Sequence, residues 1–195
     1  MKDRAKCEDQ ACCQGKDCFG LGGQVQIRYQ DRETLELTRS ATRLEAQHYM
    51  KLTRLEELIH FAKDMRYDHL GIAFCIGLAE EARTLGDILA RRFTVHAVCC
   101  KACGIEKERL ELEKIEPGRV EAMCNPIAQA MLLNQAGTQL NIILGLCIGH
   151  DILFTRNSKA PVTTLVVKDR MLAHNPVGAL YSRYWRNKVV KELDR

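Results

Sequence analysis

Apolar positions along this chain follow two rhythms. Over residues 32–66 they recur at helical spacing. Leu35, Thr38, Thr42, Leu44 and Tyr49 form a loose stripe, and after a short break Leu55, Leu58, Ile59 and Ala62 form a second one. Thr53-Arg54-Leu55-Glu56 opens that second helix as a capping box, in which hydroxyl and carboxylate satisfy first-turn N–H groups reciprocally. From residue 69 onward short apolar runs alternate with amphipathic stretches. Residues 69–76 read as a buried strand, and 78–92 as a helix with Leu78, Ala82, Leu85, Ile88 and Leu89 on one face. Residues 93–100 read as a second strand, and 104–120 as an acidic, irregular surface excursion. Asn125-Pro126 opens a helix running to Gln135, with Asn as cap and Pro in the first turn. Residues 140–147 and 162–167 are the third and fourth strands, and Asn175-Pro176 opens the last helix.

Strands that alternate with helices imply right-handed crossovers. The expected fold is therefore α/β: a mostly parallel sheet of at least four strands flanked by helices, in a single domain over residues 25–195. Residues 1–24 are polar and rich in cysteine and glycine, and read as a small knuckle ending in the linker Gly20-Leu21-Gly22-Gly23. At 195 residues, with 46% hydrophobic and 28% charged positions, the chain can bury an ordinary core without disulfide staples.

Charge excludes little beyond nucleic acid. The net charge of +4 is mild, and the basic residues of the C-terminal 13 positions alternate with Glu192 and Asp194, as on the solvated face of a helix. No apolar stretch follows the N-terminus as in a secretory signal, and the run 142–149 is too short to span a membrane. A cytoplasmic setting is expected, with a small molecule or a redox protein as partner, and neither nucleic acid nor membrane.

Cysteine changes this picture. There are ten, and in a cytoplasmic chain clustered cysteines point to metal or redox chemistry rather than disulfides. Cys7, Cys12, Cys13 and Cys18 crowd the knuckle, where no apolar core gives them a packing role, so a metal is expected there. Cys75, Cys99, Cys100, Cys103, Cys124 and Cys147 fall at strand ends or helix starts, which in an open α/β sheet line one edge. The chain also echoes itself. Cys75-Ile76-Gly77 matches Cys147-Ile148-Gly149, the strand-end lysines Lys101 and Lys168 match, and Cys124-Asn125-Pro126 matches His174-Asn175-Pro176.

Each Cys-Ile-Gly turn places a thiol at a helix start, where the positive dipole end favours thiolate, the form that attacks electrophiles and binds metals. The plain alternative is that such cysteines are small buried hydrophobes. Cys100 and Cys103 form a Cys-x-x-Cys pair that suits zinc, an iron–sulfur centre or a redox dithiol alike. Alternation sends Cys99 and Cys100 to opposite faces unless the strand has already ended. Asp151 either orients His150, making it a base or a ligand, or merely caps a short helix. Lys168-Asp169-Arg170 either recognises an anion or is solvated loop, and His174 is either a ligand or a hydrogen-bonded loop residue.

Together the blocks around Gly71–Leu78, Val98–Lys101, Cys124–Ile127, Leu133–Asn134, Asn141–Asp151, Ala160–Thr163, Lys168–Arg170 and His174–Pro176 resemble an uncharacterised prokaryotic family, common in anaerobes and usually labelled metal-binding or of unknown function. The resemblance covers nearly the whole chain. It implies a cysteine-rich N-terminus, an α/β body and a metal, with Cys75, Cys99, Cys100, Cys124, Cys147, His150, Asp151, Lys168, Asp169 and His174 as the matching site positions. Cys103 departs from the family pattern, which favours Cys99 or Cys100 as the ligand.

The leading expectation is an iron–sulfur cluster on Cys75, Cys99 or Cys100, Cys124 and Cys147, with His174 beside it and zinc as the alternative metal. Cys147, His150, Asp151 and Lys168 would carry a redox or sulfur-handling reaction. Two other readings stand beside it: a zinc module without catalysis, and a thiol enzyme with Cys75 or Cys147 as nucleophile and His150 as base.

Overall fold

The computed structural model describes residues 5–194; residues 1–4, where the expected knuckle begins, and Arg195, the last charge of the expected final helix, lie outside the described residues. The chain divides into two compact units, Met1–Lys51 and Leu52–Arg195. Residues 25–51, grouped by sequence with the α/β body, thus fall in the first unit.

In that first unit a single 3-10 turn, Ala11–Gln14, carries Cys12 and Cys13. Helices α1 (Gly22–Arg28) and α2 (Arg32–His48) follow. The glycines expected as a linker instead open α1. The Asp17 carboxylate accepts hydrogen bonds from the N–H groups of Phe19 (3.0 Å), Gly20 (2.8 Å) and Gly22 (2.7 Å), and these bonds hold its pKa below the ordinary carboxyl range. A helix start needs such an acceptor for its orphan N–H groups. Asp31 does the same for α2, accepting from the Thr34 N–H at 2.9 Å.

The second unit runs α3 (Arg54–Asp64), β1 (His69–Phe74), α4 (Ala79–Leu89), β2 (Thr94–Cys99), α5 (Pro126–Gln135), β3 (Leu140–Leu144), α6 (His150–Asn157), β4 (Val162–Val166), α7 (Val177–Tyr181) and α8 (Arg183–Leu193). The capping box at Thr53 forms as expected. All four strands are parallel, in the order β2-β1-β3-β4. The α/β fold is the expected one. The expected last helix is two: Ser182 sits in extended backbone between α7 and α8, and its hydroxyl caps α8 by accepting from the Trp185 N–H at 3.4 Å.

Two cores sandwich the sheet. On one face Ile72, Ile142 and Leu144 pack with Leu58 and Ala62 of α3 and Ala82, Leu85 and Leu89 of α4. On the other, Ala73 and Ile143 pack with Ala130 and Leu133 of α5 and Phe154 of α6, and Cys75 and Cys100 belong to this second core. Helices thus cover both faces, and the chain leaves β1 for β2 on one side but returns across it to β3 on the other.

Buried polar groups hold the two ends of the sheet. At the amino end Asn141, fully buried, accepts from the Thr138 hydroxyl (2.8 Å) and donates to the Ser158 hydroxyl oxygen (2.8 Å). At the carboxyl end the fully buried Gln129 donates its amide to the carbonyls of Phe74 (3.1 Å) and Val98 (2.7 Å), bracing β1 against β2.

Gly71 faces the Asn141 amide. A methyl group there would lie 2.0 Å from Asn141 Oδ1 and 2.9 Å from Leu133 Cδ1. Both neighbours are fully buried, so neither can swing away. Gly71→Ala should therefore cost about 3 kcal/mol, the scale of overpacking plus a broken buried hydrogen bond. Urea unfolding should show a lowered midpoint at unchanged slope; an unchanged midpoint would refute the close fit.

Candidate functional site

The loops leaving the carboxyl ends of β1, β2 and β3 are tied together by main-chain bonds. Cys75 N–H donates to Leu144 O at 3.2 Å, joining the end of β1 to that of β3. Cys100 N–H donates to Phe74 O at 2.8 Å, continuing the β1–β2 ladder one residue past the strand. Cys100 O accepts from Asn125 N–H at 2.7 Å, which lays the segment before α5 alongside. Asn125 then caps α5, its Oδ1 accepting from Ala128 N–H at 2.9 Å. Three cysteines are brought together in this way: Cys75 and Cys100 buried, Cys124 half-buried at the mouth of a ten-residue helix.

Their sulfurs form a charged network. Cys100 and Cys124 are neighbours that act on each other: the interaction with Cys124 holds Cys100 protonated, with burial adding to the effect. The same interaction lowers the Cys124 pKa to about 5; burial opposes this, while the charges of Lys101 and His150 reinforce it. One proton therefore sits between two sulfurs, on Cys100, and Cys124 is the thiolate. Lys101 is fixed nearby, donating to the Ala122 carbonyl at 2.6 Å, and its charge favours the Cys124 thiolate. The start of α5 adds its positive dipole end. Cys100 also accepts from the Ile76 N–H at 3.3 Å, in the turn after Cys75.

Cys147 lies across the same edge. Its Sγ accepts from Arg170 Nη2 at 3.0 Å, and the guanidinium charge also interacts with Cys75 and Cys124. The two Cys-Ile-Gly turns that echo each other in sequence thus leave adjacent parallel strands. They differ in detail: Cys75 leads into a 3-10 turn, Ile76–Leu78, while Cys147 O accepts from His150 and Asp151 N–H at the start of α6.

The remaining expected residues divide. His150 lies near enough for its charge to act on Cys124. Asp151 does not orient it; the carboxylate accepts from the Ile152 N–H at 2.8 Å. Lys168 reaches from the end of β4 over Gly145 toward Gly77: a methyl group at Gly77 would lie 3.4 Å from its Nζ, and one at Gly145 3.7 Å from its Cδ. His174 closes its own loop, Nδ1 accepting from the Asp169 N–H at 3.1 Å. Cys99 packs half-buried against the same core as Cys100, because β2 ends there and alternation no longer separates them. Cys103 is exposed on left-handed backbone (φ 68°) and stands apart. In the first unit Cys12 and Cys13 are exposed and Cys7 and Cys18 half-buried. None of the ten cysteines is in a disulfide, and among the described residues no three His, Cys, Asp or Glu side chains are arranged to hold a metal ion.

Lys101, Arg170 and Gln129 carry more of this site than their sequence positions suggest. Gln129 could have been found: a glutamine within the run Ala128 to Leu133 of an otherwise apolar helix face needs buried partners. Nothing in sequence aims Arg170 at Cys147.

A family model described as "Protein of unknown function (DUF1847)" matches residues 17–165, a span that includes Cys75, Cys100, Cys124 and Cys147. An uncharacterized protein of Methanocaldococcus jannaschii, MJ0455, is 50% identical over 188 residues, covering 96% of this chain and 97% of that protein. No solved structure matches the chain.

The titration of Cys124 has a readable consequence. Alkylation by iodoacetamide at Cys124, followed peptide by peptide, should be nearly independent of pH above neutrality and fall to half near pH 5, since acid protonates the thiolate. Cys100→Ala removes the largest cause and should move the midpoint up toward the ordinary thiol range of about 8.5. Lys101→Met should move it the same way by less. A wild-type midpoint already in the ordinary range would show that Cys124 is not held as thiolate.

Proposed function

The chain belongs to the DUF1847 family of proteins of unknown function, and we propose that it is a thiol-redox protein in which Cys124 is the attacking thiolate and Cys100 the resolving thiol. The observation that carries this reading is the juxtaposition of Cys100 and Cys124, on backbones joined by the 2.7 Å bond from Asn125 N–H to Cys100 O, with the two thiols pushed in opposite directions by each other. Closing a disulfide needs two cysteines on neighbouring backbones of this kind.

The chemistry balances with a disulfide as co-reactant. The Cys124 thiolate attacks one sulfur of a small disulfide, the S–S bond breaks, and one thiolate leaves, taking a proton from His150 or solvent. Cys100 then loses its proton and attacks the Cys124 sulfur of the mixed disulfide. The second thiolate leaves, the Cys100–Cys124 bond closes, and two electrons have passed to the substrate. Burial of Cys100 suits the second step, since only a partner already covalently attached next to it can be reached. Ten thiols with none in a disulfide fit a reducing, cytoplasmic setting.

A second reading rests on the gathering of Cys75, Cys100, Cys124 and Cys147 at one edge. Their soft sulfur donors suit an iron–sulfur cluster, or zinc, by type. As arranged they do not fit a single ion, and no step is routed through one. The Cys7, Cys12, Cys13 and Cys18 set is a separate metal proposal of the same kind.

Two measurements test these readings. Anaerobic treatment with one equivalent of 2-hydroxyethyl disulfide should give a Cys100–Cys124 disulfide ahead of any other, reversed by excess thiol and lost in Cys124→Ser but not in Cys103→Ser. Formation of other pairs first would refute the redox reading. Metal analysis of protein purified without oxygen tests the second: iron or zinc lost in Cys75→Ser and Cys147→Ser but kept in Cys103→Ser would support it, and equal content in all three would remove it from this edge.

A further inference from the structure

We infer that the crevice between the carboxyl ends of β1 and β3 binds an oxyanion, held by Lys168 and Arg170, and that the substrate of Cys124 is therefore a small molecule carrying a carboxylate or phosphate close to its electrophilic sulfur. The inference rests on the reading of Cys124 as the reacting thiolate.

Topology marks the place. The chain winds from β1 to β2 in one direction and then returns to β3 in the other, so the loops after β1 and β3 part, and such a parting is where open α/β sheets hold ligands. Lys168 comes from the edge strand β4 but does not stay there. Its stem crosses Gly145 and its ammonium reaches the Gly77 turn, bridging the ends of β3 and β1. Two glycines border that path: a methyl group at Gly77 would touch the ammonium at 3.4 Å and one at Gly145 the lysine stem at 3.7 Å, while the φ of +68° and the 2.0 Å approach to Leu78 Cδ1 are what hold position 145 to glycine.

The charge at this point is not neutralised. Lys168 is half-buried, yet among the described residues its ammonium has neither an ion pair nor a hydrogen bond. A half-buried ammonium without a counter-charge is a costly arrangement. Arg170 spends one Nη2 contact on Cys147 and keeps further donors of its planar fork. The nearby carboxylates are engaged elsewhere: Asp169 accepts from the Met171 and Leu172 N–H groups at 2.9 Å each, and Asp151 from Ile152. The Lys168 ammonium at the Gly77 turn and the Arg170 guanidinium on Cys147 thus stand at the ends of β1 and β3 without a carboxylate ion pair, and Arg170 lies within electrostatic reach of Cys75 and Cys124. A compact oxyanion satisfies both, and a bidentate carboxylate or phosphate matches the guanidinium in shape.

Iodoacetate and iodoacetamide test this directly, because they alkylate the same thiolate and differ only in carrying a carboxylate or a neutral amide. Rates at each cysteine are read by peptide mass spectrometry in the intact chain at pH 7. The iodoacetate-to-iodoacetamide rate ratio should be about tenfold higher at Cys124 than at the exposed Cys103, the scale of one extra close charge contact near a protein surface. The iodoacetate rate should also level off with concentration as the site fills. Lys168→Met and Arg170→Met should each lower the ratio at Cys124 several-fold, and Lys168→Arg, which keeps the charge, should preserve it. Equal ratios at Cys124 and Cys103, or a ratio unmoved in both methionine variants, would overturn the oxyanion site. Failure of the underlying reading looks different: Cys124 would then react no faster than Cys103 with the neutral reagent.

Discussion

A parallel sheet can be wound outward in both directions from one strand only if the chain crosses that strand once, and this crossing shapes the whole second unit. β1 lies inside the sheet with β2 on one side and β3 on the other. Its crossover helices must lie on opposite faces, which gives the two cores around α3 and α4 and around α5 and α6. The loops at the carboxyl ends then diverge. The main-chain bond from Cys75 to Leu144 still ties the end of β1 to that of β3, and the bond from Cys100 to Phe74, with the Gln129 amide on Phe74 and Val98, ties the end of β2 to β1. Side chains from three strand ends reach one another because these braces hold the diverging loops in place.

Within that frame electrostatics decides which sulfur does what. A buried thiol and a half-buried one placed side by side cannot both ionise cheaply. Cys100 is the deeper one, enclosed by the α5–α6 core, and keeps its proton. Cys124 is the shallower, faces Lys101 and sits where α5 begins, so the negative charge settles there. In the proposed redox reaction the division of labour between attacking and resolving sulfur would follow from depth and neighbouring charge, not from any difference between the residues.

Much of the fold was legible because each signal was local. The capping box at Thr53, the Asn125-Pro126 helix start, and the apolar runs of the four strands depend on residues within a few positions of one another, and each stands where expected. Illegible elements depend on distant or weak signals. Asp17 turns a glycine stretch into the start of α1 through hydrogen bonds that span up to five residues, and Ser182 splits the last helix with one hydroxyl. At the site, the gathering of strand-end cysteines could be anticipated from the sheet's edge. The pairing of Cys100 with Cys124 could not, since it arises from the segment before α5 lying beside the end of β2. His174 shows the opposite case: its sequence echo of Cys124 suggested a ligand, yet Asn175 does not cap the helix as Asn125 does, and the imidazole closes its own loop.

The single proton between Cys100 and Cys124 also sets how acidity couples to electron transfer. A dithiol that holds both protons releases two on oxidation, and its midpoint potential then falls about 59 mV per pH unit. In the proposed reaction this pair would start, above about pH 5, with one proton already gone. Closing the bond releases one proton for two electrons, and the potential falls by about 30 mV per pH unit instead. Across the neutral range the proposed couple falls half as steeply as an ordinary dithiol, so against a thiol pool of fixed composition its reduced-to-oxidised ratio rises about tenfold per pH unit, where an ordinary dithiol would simply track the pool.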